Sequence, residues 1–319
     1  MMANCHDLFK DFYGKIELAS SKKKYLKEAR DAIRDKIREY FKDTLKTNVP
    51  KFLIQGSYAM ATIVNPLDGE FDIDDGVYLQ NLQPDKSKWP KPETVHNWIY
   101  KAVEGHTKEK AQDKRTCVRV VYSGNYHVDL PIYGVYNKNA YLAEKAKLGW
   151  HISEPQKIVN WFRNQIKSKG DQLRRLIRYT KAWADYQSKS GELPNGFTLT
   201  VLVAEGYEKS ERDDSSFAGT MRNISDRISA STVILNPVDQ NEDLGKRISE
   251  SQMKNFKERL AALLENASAA LKEKSKVKAC KKWKSEFGER FPKCEDLKEV
   301  DTPRKTAAPA ILRDDARSA

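Results

Sequence analysis

Residues 70–79 read EFDIDDGVYL, and the fold turns on how this stretch is assigned. Phe71, Ile73, Val77 and Leu79 recur at odd positions, the period of two that marks a β-strand. In a strand, alternate side chains leave from the same face, so Asp72 and Asp74 point together, with Glu70 behind them, while Ile73 and Asp75 point the other way. Carboxylates held side by side repel one another unless cations neutralise them. Asp129, in HVDLPIY at 127–133, would add a third carboxylate from a neighbouring strand. Converging carboxylates of this kind form an oxygen-rich site for divalent metals.

Working outward, FLIQGS at 52–57 reads as another strand ending in a Gly-Ser turn. There Gly56 lets the backbone come close to a phosphate and Ser57 adds a hydroxyl donor. TCVRVVYSG at 116–124 and YHVDLPIYGVY at 126–136 are β-rich, and the SGNY turn between them suits a hairpin. Upstream, Leu26, Ala29, Ile33, Ile37 and Phe41 recur at helical spacing and predict an amphipathic helix against the sheet. Beyond Trp150 the pattern becomes helix after helix. One starts at SEPQKIVNWFRNQI, with Ser153 as cap and Pro155 in its first turn; DQLRRLIRYTKAWADYQ follows from 171, and a long helix begins near 249. The fold class is α+β, divided as 1–150, a core of mixed sheet and helices including the N-terminal helix; 151–300, a helical lobe; and 301–319, an aperiodic tail expected to be disordered.

A chain of 319 residues with 39% hydrophobic content is long enough for one large core or two modest ones. Cys5, Cys117, Cys280 and Cys294 have neither metal-ligand nor disulfide-framework spacing and read as packing residues of a reducing compartment. With no long apolar run and no apolar leader, a cytoplasmic protein without membrane contact is expected. The net charge of +12 suits either polyanionic nucleotides or an ordinary lysine-covered surface. Trp161, Phe162 and Trp183 read as lobe packing, Tyr78 as packing or a base stacker, and His127 as a strand residue beside the site without a chemical role. Arg174, Arg175 and Arg178 lean away from the apolar stripe of their helix. Lys181 sits at the edge of that stripe, where its ammonium can reach either a cleft or plain solvent.

Gly-Ser, Asp-x-Asp and a distal Asp together resemble the polymerase-β-like nucleotidyltransferases. QGSYAMATIVNP, FDIDDGVYL, HVDLPIYG and LIRYTKAWADYQ resemble more particularly the bacterial cGAS/DncV-like nucleotidyltransferases, among them the DncV-type cyclic GMP-AMP synthases, from the first helix to about Tyr207. The resemblance implies an active site in the cleft between core and helical lobe. It implies Asp72, Asp74 and Asp129 as catalytic metal ligands for two Mg2+ ions, with Mn2+ able to substitute, and Asp75 as structural. It further implies Gln55, Gly56, Ser57, Lys181, Thr198 and Thr200 as nucleotide-binding, although Thr198 also suits a helix cap.

The activity implied is joining of ATP with ATP or GTP into a cyclic di- or trinucleotide messenger, with release of pyrophosphate, in CBASS anti-phage signalling. A product-sensing effector, and a regulatory or conjugating partner, belong to the same implication; nucleic acid is not required. The same constellation also serves a templateless synthase of linear chains or a transferase that nucleotidylates protein or RNA. The charge alone would suit a non-enzymatic nucleic-acid sensor.

Overall fold

The structure is a computed structural model that describes residues 2–80, 82–146 and 149–295; the tail 301–319 lies outside the described residues. Helices α1 (His6–Ile16) and α2 (Ser20–Glu39) lead into β1 (Lys51–Gln55), the single turn α3 (Gly56–Ala59) and β2 (Phe71–Tyr78). Then come α4 (Pro92–Val103), β3 (Gln112–Asp113), β4 (Val118–Tyr122), β5 (Tyr126–Leu130), β6 (Ile132–Tyr136), β7 (Asn139–Glu144) and β8 (Gly149–Ile152). The remainder comprises α5 (Pro155–Lys169), α6 (Asp171–Gln187), α7 (Gly196–Gly206), α8 (Asp213–Ala230), the small hairpin β9 (Leu235–Asn236) and β10 (Asp239–Asp243), α9 (Glu250–Lys272) and α10 (Lys276–Phe287). The mixed sheet with its helices and the helical lobe make an α+β fold.

Strand β2 organises the eight-stranded sheet. Antiparallel β1 pairs with its second half, Gln55 opposite Asp74. YHVDLPIYGVY forms two strands rather than one, because Pro131 has no N–H to donate. The two halves keep one parallel register along β2: Asp74 opposite Asp129 in β5 and Val77 opposite Ile132 in β6. Outside them β4 pairs with β5 and β7 with β6, both antiparallel. The ends of this outer pair meet where the Lys145 amide donates to the Arg115 carbonyl.

Among the described residues there are two large hydrophobic cores and a small third cluster of Tyr78, Tyr133, Ala140 and Leu142. Leu26, Ala29, Ile33 and Ile37 of α2, with Phe41 beyond it, are buried against Ile73, Val77, Val120 and Val128 of the sheet. The second core is helical, with Trp183, Trp283, Phe217 and Phe256 in its interior. The chain's first helix joins this second core: Leu8, Phe9, Phe12 and Ile16 are buried there, and Phe9 meets Tyr179 and Trp283 edge-on. Phe162 and Trp183 are buried in the same core, with Trp161 packed against it.

Several local expectations need correction. Helix α5 starts at Pro155 with Glu154, not Ser153, at its N-cap position, and the Glu154 carboxylate accepts from the Ala140 amide instead of capping. Arg178 is buried and its Nη2 donates to the Ala61 carbonyl, while Arg175 pairs with the buried Asp213; neither is a solvated surface charge. Cys280 and Cys294 are joined as a disulfide. The chain leaves α10 through Gly288 at φ 68° and folds back until the two Cα atoms are 5.6 Å apart, a proximity that their spacing in sequence does not announce. Cys5 and Cys117 are free and buried. Among the described residues, no helix is long and apolar enough to cross a membrane.

Candidate active site

Strand register builds the site. Gln55, Asp74, Asp129 and Arg119 lie opposite one another in a single row across β1, β2, β5 and β4. Asp72 lies opposite His127 in a parallel row one step away. Because side chains alternate, Asp72, Asp74, His127 and Asp129 share one face of the sheet. Asp75 points to the other face, where it is buried and accepts from Arg34 Nε and Nη2 at 2.7 and 2.6 Å. Its role there is structural.

The functional face is short of positive charge. Arg119 grips Asp129 with two parallel bonds of 2.7 and 2.8 Å. Asp74 has no such partner; burial, then the neighbouring Asp72 and Asp129, push its carboxyl up to about 7. Burial also raises Asp72, with Asp129 adding to the rise against the opposing pull of His127. His127 Nδ1 faces Glu70 at 3.1 Å. Its Nε2 is buried without a hydrogen-bond partner, 3.9 Å from carboxylate oxygens of both Asp72 and Asp129. Ligand atoms of Asp72, His127 and Asp129 lie within 4.8 Å of one another. Crowded carboxylates and an orphaned imidazole nitrogen aimed between two of them are a donor set that fits a divalent cation.

The Gly-Ser turn closes the site. Gly56 adopts φ 66°, and a Cβ there would stand 2.1 Å from Asp74 Oδ2, so this position requires glycine for conformation and for space alike. Gln55 Nε2 donates to the Tyr133 hydroxyl at 3.0 Å, and its Oε1 is buried without a partner. Tyr133 in turn stacks on the buried Tyr78, ring centroids 4.8 Å apart.

Two cavities meet at this row. A cleft of about 550 Å³ is lined by Gln55, Gly56, Ser57, Asp72, Asp74 and Lys181, with Gly196, Phe197 and Leu199 of α7 opposite. A second, of about 870 Å³, also touches Gln55 and Asp74 but continues past Asp129 and Tyr133 towards β7, β8 and the β9–β10 hairpin. Asp74 therefore faces both. Lys181 reaches the first cleft with its Nζ 3.1 Å from Thr62 Oγ1, and burial lowers its pKa to about 8. Thr198 and Thr200 do not line either cavity: both are fully buried, and the Thr200 hydroxyl donates to the Gly196 carbonyl.

The sequence reading does not anticipate Arg119 or Thr62, and it places His127 beside the site but gives it no ligand role. Arg119 could have been found, because a hairpin pairing Tyr122 with Tyr126 necessarily sets Arg119 opposite Asp129. Thr62 lies in a loop and carries no comparable signal.

The family "Cyclic GMP-AMP synthase DncV-like, nucleotidyltransferase domain" matches residues 50–133, and "Cyclic GMP-AMP synthase, C-terminal domain" matches residues 170–299. The cyclic GMP-AMP synthase of Escherichia albertii is 30% identical over 213 residues, 63% of this chain and 47% of that protein. The Vibrio cholerae synthase is 25% identical over 228 residues, 55% of this chain and 51% of that protein. The chain thus spans about half the length of the curated relatives it matches. In fold, it is similar to the Vibrio cholerae DncV cyclic AMP-GMP synthase, described as a prokaryotic cGAS homolog, with TM-score 0.78 and 20% identity over 92% of this chain and 98% of that one. Complexes of the same Vibrio enzyme with nonhydrolyzable GTP and with the linear intermediate 5' pppA(3',5')pG match with TM-scores of 0.75 and 0.74, each 22% identical over 92% of this chain and 98% of that one. Two family matches that together span more than half of the chain, one on the sheet that aligns the acidic row and one on the helical lobe, identify it as a member of the DncV-like nucleotidyltransferase family.

Proposed function

We propose that this protein joins nucleoside triphosphates, ATP with ATP or GTP, into a cyclic di- or trinucleotide with release of pyrophosphate, and that the product is a messenger of anti-phage signalling read by an effector protein. One observation carries the reading: Asp74 stands in the shared wall of two cavities, with Asp72 on one side and Asp129 on the other. A donor triphosphate in the first and an acceptor nucleoside in the second would meet at the carboxylates. The complex of the Vibrio enzyme with the linear intermediate 5' pppA(3',5')pG, itself two joined nucleotides, supports it.

The chain's own groups divide the work. Asp72, Asp74 and Asp129, with His127 beside them, would hold two Mg2+ ions, or Mn2+, which when bound lower the pKa of an acceptor hydroxyl and screen the charge of a departing pyrophosphate. Gln55, Gly56 and Ser57 bring backbone and hydroxyl donors to the donor phosphates, and Gly56 has no side chain to hold them off. Lys181 places an ammonium across the cleft from the carboxylates, at the end where pyrophosphate charge collects. Thr198 and Thr200 act only through α7, whose neighbouring positions line the cleft. Arg119 keeps the Asp129 carboxylate fixed in plane, so that attacking and departing groups stay aligned.

The test is a reaction of the purified chain with all four nucleoside triphosphates and Mg2+ or Mn2+, treated with phosphatase and read by mass spectrometry. A phosphatase-resistant cyclic product is the expected result and also names the bases. A phosphatase-sensitive ladder would replace this reading with linear synthesis, and label found on protein or RNA would replace it with macromolecular nucleotidylation.

A further inference from the structure

The disulfide of the helical lobe stands behind the first cleft. Cys280 and Cys294 enclose the end of α10 and the turn after it, a sequence separation of 14, and Arg290 belongs to that loop. Arg290 reaches from the loop to both walls of the cleft. Its Nη1 donates to the Asn65 carbonyl at 2.9 Å and meets Asp185 Oδ2 at 2.6 Å, while its Nη2 donates to the Ala182 carbonyl at 2.7 Å. Asp185 also accepts from the Leu67 amide at 3.1 Å. Thr62, Val64 and Pro66 line the cleft from the loop that follows α3, as Lys181 and Asp185 do from α6. One guanidinium therefore clamps the two walls together.

The clamp is only as fixed as the turn that carries it. Phe291 packs against Phe9 and Phe12 of α1, ring centroids 5.5 and 5.3 Å away, but Lys293 and Glu295 on either side of Cys294 are exposed. The disulfide closes this end: both sulfurs are buried against the Pro292 carbonyl, at 3.8 and 3.9 Å. A cross-link over so short a loop removes open conformations from it. An open groove lined by Lys10, Asp11 and Lys15 of α1 with Pro292 and Lys293 reaches the backbone beside the bond, a basic approach for an anionic thiol. Nucleoside triphosphates belong to the reducing interior of cells, where a protein disulfide is characteristically transient, catalytic or redox-sensing.

We infer that the Cys280–Cys294 bond is a thiol-reversible switch on nucleotide binding in the first cleft, with Arg290 as the positioning residue that carries its state to the cleft walls; the inference rests on the triphosphate-binding reading above and adds its regulation. Two molecules of a thiol such as glutathione open the bond. They supply two electrons and two protons, Cys280 and Cys294 become thiols, and the reductant leaves as its own disulfide. The opened turn releases Arg290, and α6 and the loop after α3 lose their common anchor. Exchange with the oxidised reagent runs the same step backwards.

The full-length chain is equilibrated in reduced or oxidised glutathione, its thiols are counted by alkylation and mass spectrometry after unfolding, and its affinity for a nonhydrolysable ATP analogue with Mg2+ is measured by calorimetry. Of the four cysteines Cys5 and Cys117 are free, so the closed form should show two thiols and the open form four. The closed form should bind about tenfold more tightly, because only chains with the clamp in place are fully competent. Cys280→Ser with Cys294→Ser should bind like the reduced chain in either buffer. Arg290→Ala should bind weakly in both buffers although its bond still opens and closes, and Arg290→Lys should restore part of the difference. A merely structural Arg290 would leave the redox difference in place. A chain that forms no bond in oxidised glutathione, an affinity indifferent to the bond, or a redox difference that persists in Arg290→Ala overturns the inference. A chain whose affinity follows the bond but which makes no product would sink the synthase reading alone; one that makes the cyclic product and binds nucleotide equally well with the bond open or closed would sink this inference alone.

Discussion

The molecule crowds carboxylates together in two places, and treats them in opposite ways. In the helical lobe Asp213 is fully buried but accepts from Arg175 Nε and Nη2 at 2.6 and 2.8 Å, from Gln172 at 3.0 Å and from the Tyr179 hydroxyl at 2.9 Å. Its neighbour Asp214 accepts from Arg212 and from the Cys5 amide. Burial works against ionisation of Asp213, yet Arg175 and Gln172 outweigh it and hold the carboxyl below its ordinary range. On the sheet face Asp74 is pushed the other way, and the His127 nitrogen beside its neighbours lacks any partner. Satisfied buried charge ties α1, α6 and α8 together. Unsatisfied charge at a cavity wall is a site waiting for a cation.

The sharpest way to break this contrast is to neutralise the sheet face. Asp72→Asn with Asp74→Asn should cut synthesis by about a thousandfold or more, the scale at which a charge-stabilising centre is lost, while the fold survives. Synthesis retained by a double variant that melts normally would refute the cation site. The opposite outcome is expected in the helical lobe: Asp213→Ala leaves the half-buried Arg175 guanidinium and the buried Tyr179 hydroxyl without their shared acceptor, and should lower unfolding free energy by roughly 3 kcal/mol in a denaturant titration. If that variant lost activity without losing stability, the lobe network would not be merely structural.

Smaller effects sharpen the picture. Gly56→Ala puts a methyl where Asp74 Oδ2 now sits, and because the carboxylate end can swing away, the expected cost is in rate, about a hundredfold, with a smaller loss of stability. Lys181→Ala should lower kcat/KM for nucleotide about tenfold, the scale of one hydrogen bond to a charged group, through both a raised KM and a lowered kcat. An unchanged kcat/KM would return Lys181 to ordinary packing. The last effect is a pH dependence. Asp74 titrates higher folded than unfolded, so its contribution to stability is present at low pH and disappears as pH rises from about 4 through about 7. Without metal, Asp74→Asn should therefore melt a few degrees above wild type at pH 8, with the gap closing towards pH 4. A gap that widened on acidification would mean that the carboxylates are already paired.

How much of this was legible beforehand depends on the distance over which the deciding interaction acts. Alternation in EFDIDDGVYL fixed which aspartates share a face, since a strand has no other way to place neighbours. Gly56 and Ser57 stood out because a turn needs them, and α2 because its apolar stripe repeats. The Thr198 and Thr200 assignments followed position along the chain, and the fold turned both side chains into the lobe.

The sequence by itself determined the strand carrying Asp72 and Asp74, the helical character of the second half and the family resemblance, all of which rest on local periodicity and short spacing. Only the tertiary structure decided that Asp74 and Asp129 lie side by side in register, that Asp74 has no cationic partner among the described residues, that Cys280 meets Cys294, and that α1 belongs to the helical core. These are contacts between segments far apart along the chain or brought together by chain reversal. Their energies come from burial and charge pairing in the folded state, which no local pattern of residues encodes.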